Sequence, residues 1–250
     1  MNISGKKCLV VGASSGIGAE VARQLAGHGC QVALVSRRES ELVDLAADIN
    51  RVAGRSLASV YPADVTDFAA APKVIQQVID DFGGIDIVVY SSGIMPKVGL
   101  EEYNTALDIS IIEVNVLGAI AWLNPLADRF TKARAGVIVG IGSVAGDRGR
   151  RGTPVYNASK AALATYLEAL RNRLSQHDVS VITIKPGFIK TPMTAGLHFP
   201  LPAGTAHGTA ADIIKAIESG AGVAYTPRYW RWVMLIVQHL PSAIMRKLKF

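Results

Sequence analysis

The sequence predicts an α/β fold, a single doubly wound parallel sheet of about seven strands with helices on both faces. Two observations predict it. The short apolar runs are continuous and rich in β-branched residues, the pattern of strands buried on both faces. Amphipathic stretches of helical length separate them, so strand and helix alternate along the chain. That order implies right-handed crossovers and a sheet covered on both sides. Ligands of such sheets bind beyond the carboxyl ends of the strands, so chemistry is sought just after each apolar run.

The first run is KCLVV, Lys7–Val11, and VGASSGIG leads from it into a helix over Gly16–His28. Gly12, Gly16 and Gly18 permit a tight turn and let backbone N–H groups approach a pyrophosphate at the helix start; the alternative is a purely structural turn. Ser14, Ser15 and Ile17 are candidate contacts in the same turn. The second run, QVALVS (Gln31–Ser36), ends on Ser36, Arg37 and Arg38. An acid at that tip would hold the ribose hydroxyls of NAD. Arginines instead suit a 2′-phosphate, so NADP(H) is the preferred cofactor and NAD(H) the second option. The bland alternative is that Arg37 and Arg38 are ordinary surface charges.

A helix over Glu39–Val52 precedes LASVY, Leu57–Tyr61. Beyond that strand, Asp64 is placed for an adenine amino group or as a helix N-cap, and Val65 is a further cofactor contact. A helix over Pro72–Phe82 precedes IDIVVY, Ile85–Tyr90, and then YSSG with Ser92 and Gly93 as candidate contacts. A long helix over Tyr103–Lys132 leads to GVIVGIG, Gly136–Gly142. The helix Val155–Gln176, the run VSVITI (Val179–Ile184), the helix Ala210–Ser219 and the run GVAYT (Gly222–Thr226) complete the alternation. Residues 1–250 read as one domain, with a substrate loop over 186–208 and an apolar basic tail over 228–250.

Ser143 follows the fifth run, and Tyr156 and Lys160 stand four apart on one helical face. A phenol with a pKa of about 10 is a weak acid at neutral pH. A neighbouring ammonium is expected to lower that value, so that Tyr156 protonates a carbonyl oxygen which Ser143 also holds. Tyr-x-x-x-Lys alone is common; a serine at the preceding strand end and a glycine turn at the start of the chain make it specific.

On these residues the chain resembles the short-chain dehydrogenase/reductase family, from the first strand past Gly187. The resemblance implies a Rossmann fold and an NAD(P)-dependent oxidoreductase interconverting a ketone and a secondary alcohol. It implies a catalytic tetrad of Asn115, in EVNVLG, with Ser143, Tyr156 and Lys160. Asn115 would hold a water in a proton relay with Lys160, and Lys160 would also bind the nicotinamide ribose. KPGFIKTPM would supply Pro186, Gly187, Ile189 and Thr191 to the cofactor. Two departures stand out: Val11 replaces a usual threonine, and YSSG stands where the family has Asn-Asn-Ala-Gly. The second alters hydrogen bonds bracing the sheet but removes no group from the tetrad. Some proteins with this fold bind NADP only as redox sensors and typically lack the Tyr/Lys pair, so its presence argues against a non-catalytic role.

The substrate loop is apolar, and Met193 and Leu197 join Ser143 and Tyr156 as substrate contacts, with Phe199 and Leu201 beside them. His198 reads as an exposed loop residue. Locally, AGDRGRRGTPVYNASKAAL and the ending YWRWVMLIVQHLPSAIMRKLKF are similar to the decaprenylphosphoryl-2-keto-ribose reductase branch, which implies a lipid-linked keto-sugar as substrate. A soluble, steroid or 3-oxoacyl ketone is the alternative. The tail is expected to form two short helical pieces broken near Pro241. An apolar face of Trp230, Val233, Met234 and Val237 would pack on the body, on a partner subunit or at a lipid boundary. Arg231, Arg246, Lys247 and Lys249 would then meet anionic headgroups.

The net charge is +6, dispersed except at the acid-free C-terminus, which argues against a nucleic-acid partner. Cys8 and Cys30 read as buried thiols of a reducing compartment, and the histidines show no metal-ligand spacing, so no metal is expected. The start of the chain lacks a signal-peptide pattern, so a cytoplasmic location is expected, with peripheral contact at the cytoplasmic membrane face through the tail. A homodimer or homotetramer is the expected assembly.

Overall fold

The computed structural model describes residues 1–199 and 201–247. Its organising strand is β1 (Lys7–Val11), whose side chains feed two cores in alternation. Cys8 and Val10 enter one, Leu9 and Val11 the other. Flanking it are β2 (Gln31–Ser36), β3 (Ala58–Pro62), β4 (Ile87–Tyr90), β5 (Gly136–Ile141), β6 (Val179–Pro186) and β9 (Val223–Thr226), in the order β3-β2-β1-β4-β5-β6-β9. Every neighbouring pair is parallel. The sheet is therefore the doubly wound Rossmann arrangement. The winding direction reverses between β1 and β4, where such sheets open a crevice.

One core lies under α1 (Gly16–Gly27), α2 (Glu39–Ala53) and α7 (Ala206–Ser219). The other lies under α3 (Ala70–Phe82), α5 (Gly118–Ala133) and α6 (Pro154–Leu174). The strands and helices read from the sequence fall within a few residues of these bounds. α7 starts four residues before its expected start, because Thr205 caps it by accepting from Gly208 N at 3.0 Å.

The expected long helix over 103–132 is three pieces: α4 (Thr105–Ile112), a π-helical turn over Glu113–Leu117, and α5. This run is apolar and long enough, by length and composition, to cross a bilayer. Here Trp122, Leu123, Leu126 and Phe130 are buried against the sheet. The Tyr90 hydroxyl donates to Val114 O at 2.7 Å, inside the π turn. In YSSG the tyrosine thus supplies a brace between the central sheet and the turn that carries Asn115.

One further feature was not expected from the sequence. A small parallel pair, β7 (Ile189–Lys190) and β8 (Gly204–Thr205), ties the start of the loop to its end. The tail forms α8 (Trp230–His239) and α9 (Ser242–Met245), separated at Pro241 as expected. Of the places the tail face was expected to occupy, the structure shows the enzyme body. Trp230 and Met234 are buried with Val144, beside Phe188, Tyr225, Tyr229, Val233 and Val237. Lys249 and the last residues of the tail lie outside the described residues, as does position 200 of the loop.

Candidate active site

The cleft opens where β1 and β4 diverge. Gly12, at φ +90°, sits against the chain leaving β4: a Cβ there would lie 2.5 Å from Ser92 N. A Cβ on Gly18 would lie 2.2 Å from Gly12 O, so this glycine lets α1 close on the turn and does not itself line the cleft. α1 begins at Ser15, whose side chain makes no capping bond, and no acid stands in its first turn. Its first N–H groups and the positive end of its dipole are therefore free for an anion. Ser14, Ser15, Gly16 and Ile17 line the cleft beside them.

Arg37 and Arg38 both line this end, with Ser36. Arg38 folds over the turn, donating from Nη2 to Ser14 Oγ at 2.7 Å and Ser15 Oγ at 2.8 Å. Each arginine also has an acid: Arg38 meets Glu41, and Arg37 meets Asp64, both at 3.5 Å. Asp64 itself is held by Thr66, accepting from its N at 2.9 Å and its Oγ1 at 2.8 Å. Its carboxylate thus serves the turn and Arg37, and Asp64 does not line the cleft, whereas Val65 does.

At the other end stand Ser143, Tyr156 and Lys160, with Pro186, Gly187, Ile189, Thr191 and Met193. Lys160 is buried, donates to Ile141 O at 3.0 Å, and has its Nζ 5.8 Å from the centre of the Tyr156 ring. Burial lowers its pKa to about 8. The Tyr156 phenol is pushed above its ordinary value by burial, against which the Ser143 hydroxyl and the Arg150 charge act. The net shift is upward, with burial the largest cause. Removing water from around a phenolate disfavours the charged form and outweighs the opposing contributions. Arg150, half-buried, is a further cation whose charge acts on Tyr156, and it was not expected from the sequence. Its only signal was the basic run RGRR just before the tyrosine.

Asn115 is fully buried behind the cleft wall, not in it. Its Oδ1 accepts from Ile94 N at 2.8 Å, and its Nδ2 donates to Ile94 O at 3.1 Å and Ser159 Oγ at 3.0 Å. The amide is committed to the backbone that leaves β4. A Cβ on Gly93 would meet Asn115 Oδ1 at 3.2 Å and Lys160 Nζ at 3.3 Å, so Gly93 brings these two groups to one place. Ser92 and Gly93 line the cleft, as do the unanticipated Ser91, Ile94, Val114, Gly142 and Thr194. Leu197 does not; it is exposed on the loop. Phe199 stacks on Phe188, with ring centres 5.1 Å apart.

A parallel sheet with a glycine turn and free helix N–H groups at its switch point is the architecture of a dinucleotide-binding enzyme. The residues present fit NAD(P)(H): an anion site at the α1 start, arginines beside it, and a cleft running on to Ser143, Tyr156 and Lys160. Comparison with known proteins agrees. The sequence pattern of the short chain dehydrogenase family matches residues 6–199. An uncharacterized oxidoreductase of Mycobacterium tuberculosis is 34% identical over 249 residues, covering 98% of each chain. The 11-beta-hydroxysteroid dehydrogenase-like 2 protein of Arabidopsis thaliana is 32% identical, over 97% of this chain and 80% of its own. The fold is shared with an actinorhodin polyketide ketoreductase solved with NADPH, at TM-score 0.81 and 23% identity, over 90% of this chain and 97% of that one. The chain belongs to the short-chain dehydrogenase/reductase family and is an NAD(P)-dependent oxidoreductase.

Proposed function

We propose that this enzyme reduces a ketone to a secondary alcohol with NADPH. The observation that carries the reading is the convergence of Ser143, Tyr156 and Lys160 on one cleft whose far end holds Arg37 and Arg38. When bound, the nicotinamide supplies a hydride, the two electrons and one hydrogen that the carbonyl carbon gains. The Tyr156 phenol gives its proton to the carbonyl oxygen, and the Ser143 hydroxyl holds that oxygen. With burial raising its pKa, the phenol is protonated at neutral pH and ready as the acid. Lys160, with its pKa at about 8, can lose and regain a proton near neutrality and so help restore the phenol. Gly12, Ser14, Ser15, Gly16 and Ile17 would hold the diphosphate. Val65, Ser92, Gly93, Pro186, Gly187, Ile189 and Thr191 would line the nucleoside and nicotinamide portions. Asn115 acts as a positioning residue, fixing Ile94 and hence Gly93.

The favoured substrate is lipophilic. Met193 lines the cleft and is exposed, so an apolar substrate would meet it on entry. A ketone on a lipid carrier, such as a lipid-linked keto-sugar, fits this entry; a steroid or 3-oxoacyl ketone is the second reading, to which the name of the Arabidopsis relative lends support. Family members are typically oligomeric, and a homodimer or homotetramer in the cytoplasm is the proposed setting. The test is turnover on keto-lipids, steroid ketones and 3-oxoacyl thioesters with each cofactor. NADPH-dependent reduction of a lipophilic ketone is expected. Preference for NADH would overturn the cofactor assignment, and cofactor binding without turnover of any ketone would return the protein to a sensing role.

A further inference from the structure

We infer that the outer face of α8 and α9 docks on an anionic membrane surface and seats the enzyme there beside its own cleft. The inference adds a partner to the reductase reading and does not depend on it. α8 is amphipathic in an unusual sense, since it has an apolar stripe on each side. The inner stripe, Trp230 and Met234, is buried on the body. The outer stripe is Trp232, Leu235 and Ile236, exposed by 65%, 51% and 66%, and Ile244 of α9 adds 46%. Positions 232, 235 and 236 share one helical face, so the exposed side chains form a patch and not a scatter.

Charge identifies what covers the patch. After Glu218 the chain has five Lys or Arg and no acid. Arg228, Arg231, Arg246 and Lys247 are exposed on the same segment, and among the described residues none is in an ion pair. Arg231 also lies over the Trp232 ring at 5.9 Å. A second copy docking through the same face would bring these cations together without a compensating carboxylate from the segment. Anionic headgroups supply the missing charge, and the acyl boundary takes the tryptophan and leucine. α8 has 10 residues, about 15 Å of helix, so it lies on a bilayer and cannot cross one.

The same helix is fastened to the active-site elements at both ends. At its start the Tyr229 hydroxyl donates to Pro202 O of the loop. Trp230 fills the space over Gly187: a Cβ there would lie 1.9 Å from the indole Nε1. At its end Leu240 O accepts from Arg148 Nη2 at 3.0 Å, in the segment between Ser143 and Tyr156. A surface that holds α8 therefore also holds the loop and the cleft wall, which suits a substrate that enters from lipid.

The experiment is co-sedimentation of the full chain with vesicles of phosphatidylcholine alone or with phosphatidylglycerol, alongside tryptophan emission and analytical ultracentrifugation. The unaltered protein is expected to bind the anionic vesicles, with binding falling about tenfold or more on raising salt from low to molar ionic strength. Emission should shift to the blue, and the shift should vanish in Trp232→Phe. A triple variant, Trp232→Ser, Leu235→Ser and Ile236→Ser, should lose vesicle binding while keeping its melting temperature and its turnover of a water-soluble ketone. No binding to anionic vesicles by the unaltered chain overturns the inference. So does a triple variant that binds as before, or one whose change is the loss of an oligomer. Absence of ketone turnover in the unaltered chain would instead overturn the reductase reading and leave the vesicle result standing.

Discussion

Arg38 donates to Ser14 across the mouth of the glycine turn, at 2.7 Å, which joins the tip of β2 to the anion site at the start of α1. A phosphate on the ribose 2′-position would meet a guanidinium already held in place. Replacing Arg38 by Ala is expected to lower kcat/KM for NADPH roughly 10- to 100-fold, the worth of a charge-assisted bond, and to leave NADH little changed. Arg37→Asp should reverse or erase the preference. Initial rates with both cofactors decide it; an equal loss for NADH and NADPH would show the arginines to be structural.

Tyr156→Phe keeps the ring and removes the acid. Turnover should fall by about 10²- to 10⁴-fold, with NADPH affinity retained. Stopped-flow turnover and cofactor fluorescence titration measure the two separately. Residual activity above a few per cent would assign the proton to another donor.

Lys160 makes stability depend on pH in a definite direction. Unfolded, a lysine keeps its proton to about pH 10.5, whereas folded Lys160 releases it near 8. Between those values unfolding takes up a proton, so this residue makes the protein more stable as pH rises. The gain is on the order of 3 kcal/mol over the whole window. Urea midpoints at pH 7.5 and 9.5 should rise for the unaltered chain relative to Lys160→Met. A parallel course for the two proteins would mean that Lys160 titrates normally.

Asn115→Ala leaves the Ile94 N–H and C=O without their side-chain partner. A cost of about 1–3 kcal/mol is expected, with a larger fractional loss of kcat than of cofactor affinity as Gly93 shifts. Asn115→Asp keeps the acceptor for Ile94 N and loses the donors, so its loss should be intermediate. Urea unfolding and steady-state kinetics report both quantities; full stability in the Ala variant would remove the positioning role.

The sheet was legible because its signal is local. Continuous runs such as KCLVV and IDIVVY mark strands buried on both faces, and each ends where the switch-point rule sends the ligand. Ser143, Tyr156 and Lys160 were legible for the same reason, being carried on one strand end and one helix face. What escaped was set by distant partners. Asn115 binds Ile94 and Ser159, 21 and 44 residues away, so its buried clamp leaves no mark in EVNVLG. The Arg37–Asp64 pair joins two strand tips 27 residues apart. The phenol's raised pKa follows from burial, which composition does not report. The tail's face was readable from its helical period, but what it packs on was not.

The packing of Trp230 over Gly187 gives the direction of synthesis a consequence. The glycine turn, the serine and the tyrosine helix leave the ribosome before the residue that closes the wall beside Gly187 and Val144. Domains begin to fold while the chain is still emerging. A nascent or prematurely terminated chain therefore carries every reacting group and an open apolar wall. Stop mutations after Thr226 are expected to act as quality-control failures, cleared by proteases for their exposed surface, and not as slow enzymes.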